Sequence, residues 1–266
     1  MARLAVLGAG VMGTAILTAL VEAGAFGAAD VRAATLDEAS QRHLADEVGV
    51  RVVAARQAVV GADVVVVAVK PGEVGALLEQ VRDELPEDAL LISVAAGVTL
   101  DTLESHLPEG TAVVRVMPNT PALIREGMLA MTPGKECRRS QVERARELLG
   151  HLGSVVEVPE KQQDAVTGLS GSGPAYVFAF ADALVEAGVV QGLPRPVATE
   201  LAVQTLYGAA ALLRRSGDHP AILRERVTSP GGTTAAGLRV LDAAGLRSAV
   251  VDAVEAATER SRELGA

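Results

Sequence analysis

Short, almost wholly apolar runs alternate with stretches of helical spacing through the first 160 residues, and that alternation sets the first expectation for the fold. Leu4 to Leu7, Val31 to Thr35, Arg51 to Ala54 and Val64 to Val69 read as strands. Leu90 to Val94, Ala112 to Val116, Met128 to Thr132 and Val155 to Val158 continue the series. Helical spacing covers Thr14 to Ala25, Asp37 to Glu47, Gly72 to Leu85 and Arg138 to Leu149. The run Val64 to Val69 has no polar position, as a strand buried on both faces requires. The pattern predicts an α/β fold: a parallel, doubly wound sheet with its ligand at the carboxyl ends of the strands.

From Lys161 onward the strand signals stop. Long Ala-rich and Leu-rich helical patterns take over, broken at Gly192-Leu193-Pro194 and His219-Pro220. The expected division is therefore a dinucleotide-binding domain over 1–160 and an all-helical domain over 161–266. About a hundred residues of apolar-faced helix bury more surface against a second copy than alone, which predicts a homodimer or larger homo-oligomer.

Composition narrows the function classes. The chain has 266 residues, is 49% hydrophobic and 2% aromatic, and contains no Trp, so its core must be aliphatic and it lacks stacking platforms for single-stranded nucleic acid. A formal net charge of -9 with scattered Lys and Arg argues against nucleic acid and anionic membrane as partners. The single cysteine, Cys137, cannot form an internal disulfide and lacks metal-ligand neighbours, which fits the cytoplasm. Leu4 to Val21 is uncharged and follows Arg3, as a secretory leader or short span begins, and Gly24 to Ala29 resembles a cleavage region. Gly8, Gly10 and Gly13 interrupt that run, and removing it would delete the first strand, so it is assigned to the fold.

The chemistry-bearing residues sit where strands end. Gly8-Ala9-Gly10-Val11-Met12-Gly13 lies between the first strand and first helix, the context in which G-x-G-x-x-G cradles a dinucleotide diphosphate. Gly8 allows the tight turn, Gly10 the close approach of backbone to phosphate, and Gly13 the packing of helix on strand. The second strand ends Ala33-Ala34-Thr35 without the acid that holds ribose hydroxyls in NAD enzymes, leaving room for a 2'-phosphate and hence for NADP. Asp37 is expected to cap the next helix, and Arg32, Arg42 and Arg56 are the cations available to that phosphate. Lys70-Pro71 places a cation where the proline stops a strand. Ser93 to Gly97 is small enough for a ring to lie on its backbone. Pro118 and Pro121 bracket Asn119 in a turn that presents its amide, a chemistry shared by ligand contacts and plain structural turns.

Two glycine-rich turns mark the second half. Ser170-Gly171-Ser172-Gly173-Pro174 opens a helix, with Pro174 at an early helical position, and has neither the spacing nor the strand of a serine-hydrolase elbow. Thr228-Ser229-Pro230-Gly231-Gly232-Thr233-Thr234 precedes another helix, where consecutive N–H groups suit a carboxylate. Four hydroxyls and two glycines in seven residues exceed what capping needs. No histidine pairing or carboxylate pair supports a metal site or hydrolytic acid–base chemistry.

These motifs together, Gly8 to Gly13, Ala68 to Pro71, Ser93 to Gly97, Met117 to Pro121, Leu169 to Tyr176 and Ser229 to Thr234, resemble those of pyrroline-5-carboxylate reductases in the same order, from about residue 3 to about 264. The resemblance implies a Rossmann domain, a helical dimerisation domain, and reduction of 1-pyrroline-5-carboxylate to L-proline with NAD(P)H, an oxidoreductase acting on a CH-NH bond in proline biosynthesis. It implies that Gly8, Ala9, Gly10, Val11, Met12 and Gly13 hold the diphosphate and Thr35 the adenosine side. Val69, Lys70, Pro71, Ala95 and Asn119 fall to the nicotinamide half. Ser229, Gly231, Gly232, Thr233 and Thr234 fall to the substrate, with Thr234 the catalytic candidate and amides of Gly232 to Thr234 on the substrate carboxylate. Arg56 stands where the family often has Asn, and an Arg frequent at the second strand's end in bacterial relatives is missing. Two alternatives remain: a 3-hydroxyacid dehydrogenase, whose helical-domain base only Lys161 could supply, and a non-catalytic dinucleotide-sensing regulator.

Overall fold

The computed structural model describes residues 3–265. Two compact units emerge, Met1–Ser172 with Ala256–Ala266, and Gly173–Glu255. The chain thus passes out of the first unit at 172/173 and returns at 255/256.

The first unit is an eight-stranded sheet: β1 Leu4–Leu7, β2 Val31–Ala34, β3 Arg51–Val52, β4 Val64–Val67, β5 Leu90–Ser93, β6 Ala112–Met117, β7 Gly127–Pro133 and β8 Gly153–Glu157. Their order is β3-β2-β1-β4-β5-β6-β7-β8. The chain runs outward from β1 to β3, then returns to the other side of β1 with β4, which places a topological switch point between β1 and β4. Its helices are α1 Val11–Glu22, α2 Glu38–His43, α3 Ala55–Val59, α4 Val74–Val81, α5 Leu100–Ser105, α6 Arg139–Gly150 and α7 Gln163–Val166. Residue parity sorts the strands onto two cores. Leu4, Val6, Val64, Val66, Leu90 and Ile92 pack with Leu17 and Leu20 of α1 and Leu148 and Leu149 of α6. Ala5, Leu7, Val65, Val67 and Leu91 pack with Val59, Leu78 and Leu103 of α3, α4 and α5. Leu4–Leu7 is buried throughout, so the uncharged start of the chain is an interior strand.

The sequence pattern predicts parallel pairing throughout, and this holds for the first six strands but not for β7, which pairs antiparallel with β6. A parallel return needs about a dozen or more residues of crossover, and the 118–126 connection carries only a 3-10 turn, Thr120–Ile124, so the chain reverses. The crossover α6 then brings β8 back parallel to β7. Cys137 behaves as a packing residue: it is half-buried, its Sγ donates to the Val113 carbonyl at 3.1 Å, and burial pushes the thiol pKa up.

The second unit is helical: α8 Gly173–Val190, α9 Arg195–Ser216, α10 Pro220–Arg226, α11 Thr233–Ala243 and the start of α12 Leu246–Gly265. Gly192 (φ +93°) ends α8, and Gly188 lets α9 come close: a Cβ there would lie 2.9 Å from Ala198 Cβ. His219 caps α10, accepting at Nδ1 from the Ala221 N–H, with Pro220 in the first position. The buried apolar cluster of this unit consists of Val185, Ala198 and Ala202, with Val189 against it. Phe178, Leu201 and Tyr207 are 65%, 53% and 66% exposed, which leaves a large apolar surface open on an isolated protomer.

Candidate active site

The carboxyl ends of β1, β4, β5 and β6 lie side by side, and the predicted residues of the first unit gather there. The turn after β1 shows why each glycine is needed. Gly8 has φ +89°, and a Cβ on it would lie 2.5 Å from Val69 Cγ1 and 2.7 Å from the Ala68 carbonyl carbon. A Cβ on Gly13 would strike the Gly8 carbonyl oxygen and sit 3.2 Å from Ala68 Cβ. Gly10 meets nothing within 4 Å, so the space beside it is open to a ligand.

The amides of this turn divide into used and free. Gly8 and Ala9 donate to the Ala34 carbonyl at 2.8 and 3.3 Å, and Gly10 donates to Gly8 O at 2.8 Å. Val11, Met12 and Gly13 occupy the first turn of α1, where N–H groups have no helical acceptor, and Gly10 at the N-cap offers no side chain to satisfy them. The anion-ready set is thus narrower than the expected Gly8 to Gly13. The first three residues build the turn, and the last three amides are left without an acceptor at the positive end of the helix dipole.

At the end of β2, Thr35 Oγ1 accepts from the Asp37 N–H at 3.3 Å, and its carbonyl accepts from Gln41 Nε2 at 2.9 Å. Asp37 caps α2 by accepting from the Ser40 N–H at 2.7 Å, and the hydrogen bonds from Ser40 hold its carboxyl below the usual carboxylate range. Of the three candidate cations, Arg32 turns back onto the Gln57 and Val60 carbonyls at 2.8 and 3.1 Å. Arg56 spends its Nε on the Gln80 carbonyl at 2.9 Å and on Glu84 at 3.1 Å. Arg42 is exposed, and its charge is felt at Asp37. Leu36, which sequence reasoning passed over, is 100% exposed beside Thr35, an apolar side chain isolated in a polar stretch.

Lys70 is exposed where β4 ends and makes no ion pair among the described residues, while Val69 is half-buried against Gly8 and Pro71 starts a 3-10 turn. Ala95 is 4% exposed and its N–H lies 3.4 Å from Ser93 Oγ, leaving Ala96 as the exposed member of that loop.

Asn119 is half-buried and its amide bonds within the protein: Oδ1 accepts from the Met128 N–H at 2.8 Å, and Nδ2 donates to the Ser170 carbonyl at 3.1 Å. The predicted turn at Ser170 is corrected. Thr167–Gly171 forms a π-helical segment closed by Ser172 N donating to Thr167 O at 2.8 Å, so a single helical stretch spans Glu160–Val190.

In the second unit, the Ser229 to Thr234 turn leads directly into α11. Gly231 has φ +67°, and Gly232 is held so near Ser229 that a Cβ would collide with Oγ. The Gly232 N–H donates to Ser229 O at 3.0 Å, closing the turn, so it is not available to a substrate carboxylate as the sequence predicts. The free amides are one residue further on, at Thr233, Thr234 and Ala235, the first turn of a helix that no side chain caps. Among the described residues, no group of three or more His, Cys, Asp or Glu is placed to hold a metal ion.

Comparison with known proteins agrees with this layout. Residues 160–264 match the family model described as pyrroline-5-carboxylate reductase dimerisation, and residues 3–97 match NADP oxidoreductase coenzyme F420-dependent. A pyrroline-5-carboxylate reductase of Methanosarcina acetivorans is 40% identical over 264 residues, 99% of this chain and 98% of that protein. The chain belongs to the pyrroline-5-carboxylate reductase family. Its Mycobacterium leprae relative is 45% identical over 290 residues, covering 99% of this chain and 97% of the relative. Among solved structures, the pyrroline-5-carboxylate reductase from Coxiella burnetii superposes with a TM-score of 0.93 at 33% identity, over 100% of this chain and 99% of that one. Plasmodium falciparum pyrroline carboxylate reductase, solved with NADP bound, gives 0.89 at 30% identity, over 100% and 98%. A pyrroline-5-carboxylate reductase must hold two anionic molecules, and α1 and α11 each begin at a glycine N-cap, Gly10 and Gly232, with no side-chain cap on the first-turn amides.

Proposed function

We propose that this chain reduces 1-pyrroline-5-carboxylate to L-proline with NADPH, the last step of proline biosynthesis, as a cytoplasmic homodimer or higher homo-oligomer. The observation that carries the cofactor half is the glycine turn after β1, where open space at Gly10 meets three unsatisfied amides. Bound NADPH supplies the hydride for the imine carbon. Val11, Met12 and Gly13 hold its diphosphate with their N–H groups, and Gly8, Ala9 and Gly10 shape the turn that aims them. Thr35 and Leu36 take the adenosine side. Arg42, with the guanidinium hydrogens that Arg56 has left, meets the 2'-phosphate. Val69, Lys70, Pro71 and Ala95 line the nicotinamide half, with the Lys70 charge unspent.

The Ser229 to Thr234 turn binds the substrate. Ser229, Gly231 and Gly232 build its shape, and the N–H groups of Thr233, Thr234 and Ala235 grip the carboxylate. Thr234 directs its hydroxyl to the ring nitrogen. A threonine hydroxyl is too weak an acid to protonate the imine, so it orients the nitrogen and passes on a proton from water. The deciding assay follows oxidation of NADPH and of NADH spectrophotometrically with pyrroline-5-carboxylate. Turnover with NADPH faster than with NADH is expected, and oxidation of neither would end this reading.

The exposed apolar face of the second unit belongs to a second copy. A helical stretch over 160–190 is long and apolar enough to cross a bilayer by length and composition, but it lies in the segment matched by the dimerisation model. Leu201→Glu, which puts a charge on α9 where the side chain is exposed, is expected to convert the oligomer to protomers in sedimentation velocity.

A further inference from the structure

The structure assigns Asn119 a positioning role in the reduction rather than a ligand contact. The reason begins with Pro174. In a regular helix the Ser170 carbonyl would accept from the N–H of residue 174, and proline has none. The Ser170 carbonyl is instead met by Asn119 Nδ2 at 3.1 Å, a side chain 51 residues away in sequence. The other end of the same amide accepts from the Met128 N–H at 2.8 Å, at the start of β7. One planar group therefore ties three segments: the carboxyl end of β6, the beginning of β7 and the π-helical segment Thr167–Gly171. Met117, two residues before Asn119, closes the same junction, since a Cβ on Gly171 would lie 2.6 Å from its Cε.

Two further bonds support the alignment. Arg115, with a side chain 7% exposed, pairs with Glu160 at 3.0 Å. Buried Gln163 donates to the Ala130 carbonyl and Thr132 Oγ1 at 3.2 and 2.8 Å. The helical stretch is thus bonded along β6 and β7, and Asn119 makes the bond nearest the ligand end of the sheet. β6 neighbours β5, whose loop carries Ala95. A shift at this junction displaces the nicotinamide half and leaves the diphosphate turn, across β4, untouched.

This inference rests on the proposed reductase activity, and the test separates the two. Asn119→Asp keeps an acceptor for Met128 and the side-chain shape but removes the donor to Ser170. Its kcat is expected to fall about tenfold, because small misplacement of reacting groups is costly, while the NADPH Kd from fluorescence titration stays within about threefold. Pro174→Ala restores an N–H that can satisfy Ser170 from within the helix, so in that background Asn119→Asp should cost less than about threefold in kcat. Asn119→Ala, with its melting temperature recorded, should lose kcat at least as far, and Pro174→Ala should recover only the Ser170 part of that loss, because the acceptor for Met128 is gone as well. Wild-type kcat in Asn119→Asp, an equal loss with and without Pro174, or a tenfold rise in NADPH Kd with unchanged kcat would each overturn the positioning role. If the unmodified enzyme itself fails to oxidise NADPH with pyrroline-5-carboxylate, the reductase reading falls first.

Discussion

Replacing Gly8 with alanine is expected to destabilise the first unit by about 3 kcal/mol or more and to weaken NADPH binding at least tenfold. Two costs add. A non-glycine residue in the left-handed region loses roughly 1 to 2 kcal/mol, and Gly8 sits at φ +89°. Overpacking adds roughly 1 to 3 kcal/mol, because the new Cβ would lie 2.7 Å from the Ala68 carbonyl carbon, backbone at the end of an interior strand that cannot swing aside. In a chain of this size about 3 kcal/mol lowers the melting temperature by roughly 10 °C, which calorimetry resolves. Gly10→Ala is the control. Gly10 has φ -78° and a Cβ there meets nothing within 4 Å, so this variant should melt like the parent and still bind NADPH poorly. Normal NADPH binding by Gly10→Ala would show that the diphosphate does not pass over this turn.

Thr234→Ala carries the other large effect. Removing the hydroxyl should lower kcat/KM about 100-fold, equivalent to about 2.7 kcal/mol of lost transition-state stabilisation. The change lies in the first turn of α11, where a half-buried Thr gives way to a better helix former, so the melting temperature should hold. NADPH affinity should also hold, because the amides assigned to its diphosphate belong to α1. Thr234→Ser, which returns the hydroxyl, should recover most of the rate. Parent-like turnover in Thr234→Ala would remove this residue from the mechanism and leave the three amides as the whole of the substrate site.

The elements legible in the chain were those with strong local causes. Val64–Val67 is buried on both faces as its unbroken apolar run requires, Asp37 caps α2 as its position implies, and Gly192-Leu193-Pro194 ends α8. Less legible were features that depend on a partner distant in sequence. Arg56 reads as a free cation beside the cofactor, yet Gln80 and Glu84 engage its Nε. The Ser170 segment reads as a glycine-rich turn, because a π-helical segment has no compositional signature. A usable signal was present all the same: Pro174 removes the helical donor to the Ser170 carbonyl, and a half-buried carbonyl left so takes a donor from elsewhere.

By itself the sequence determined the strand-turn-helix at Gly8 to Gly13, the alternation behind the doubly wound sheet and the helical second half. Each follows from periodicity or from a dihedral angle that only glycine reaches cheaply, and both are properties of neighbouring residues. Tertiary structure decided the reversal at β7, the internal use of the Asn119 amide, and which amides stay free at the starts of α1 and α11. Those outcomes turn on whether a hydrogen-bonding group finds its partner inside the protein or keeps it for a ligand. Only the folded chain brings such partners within reach.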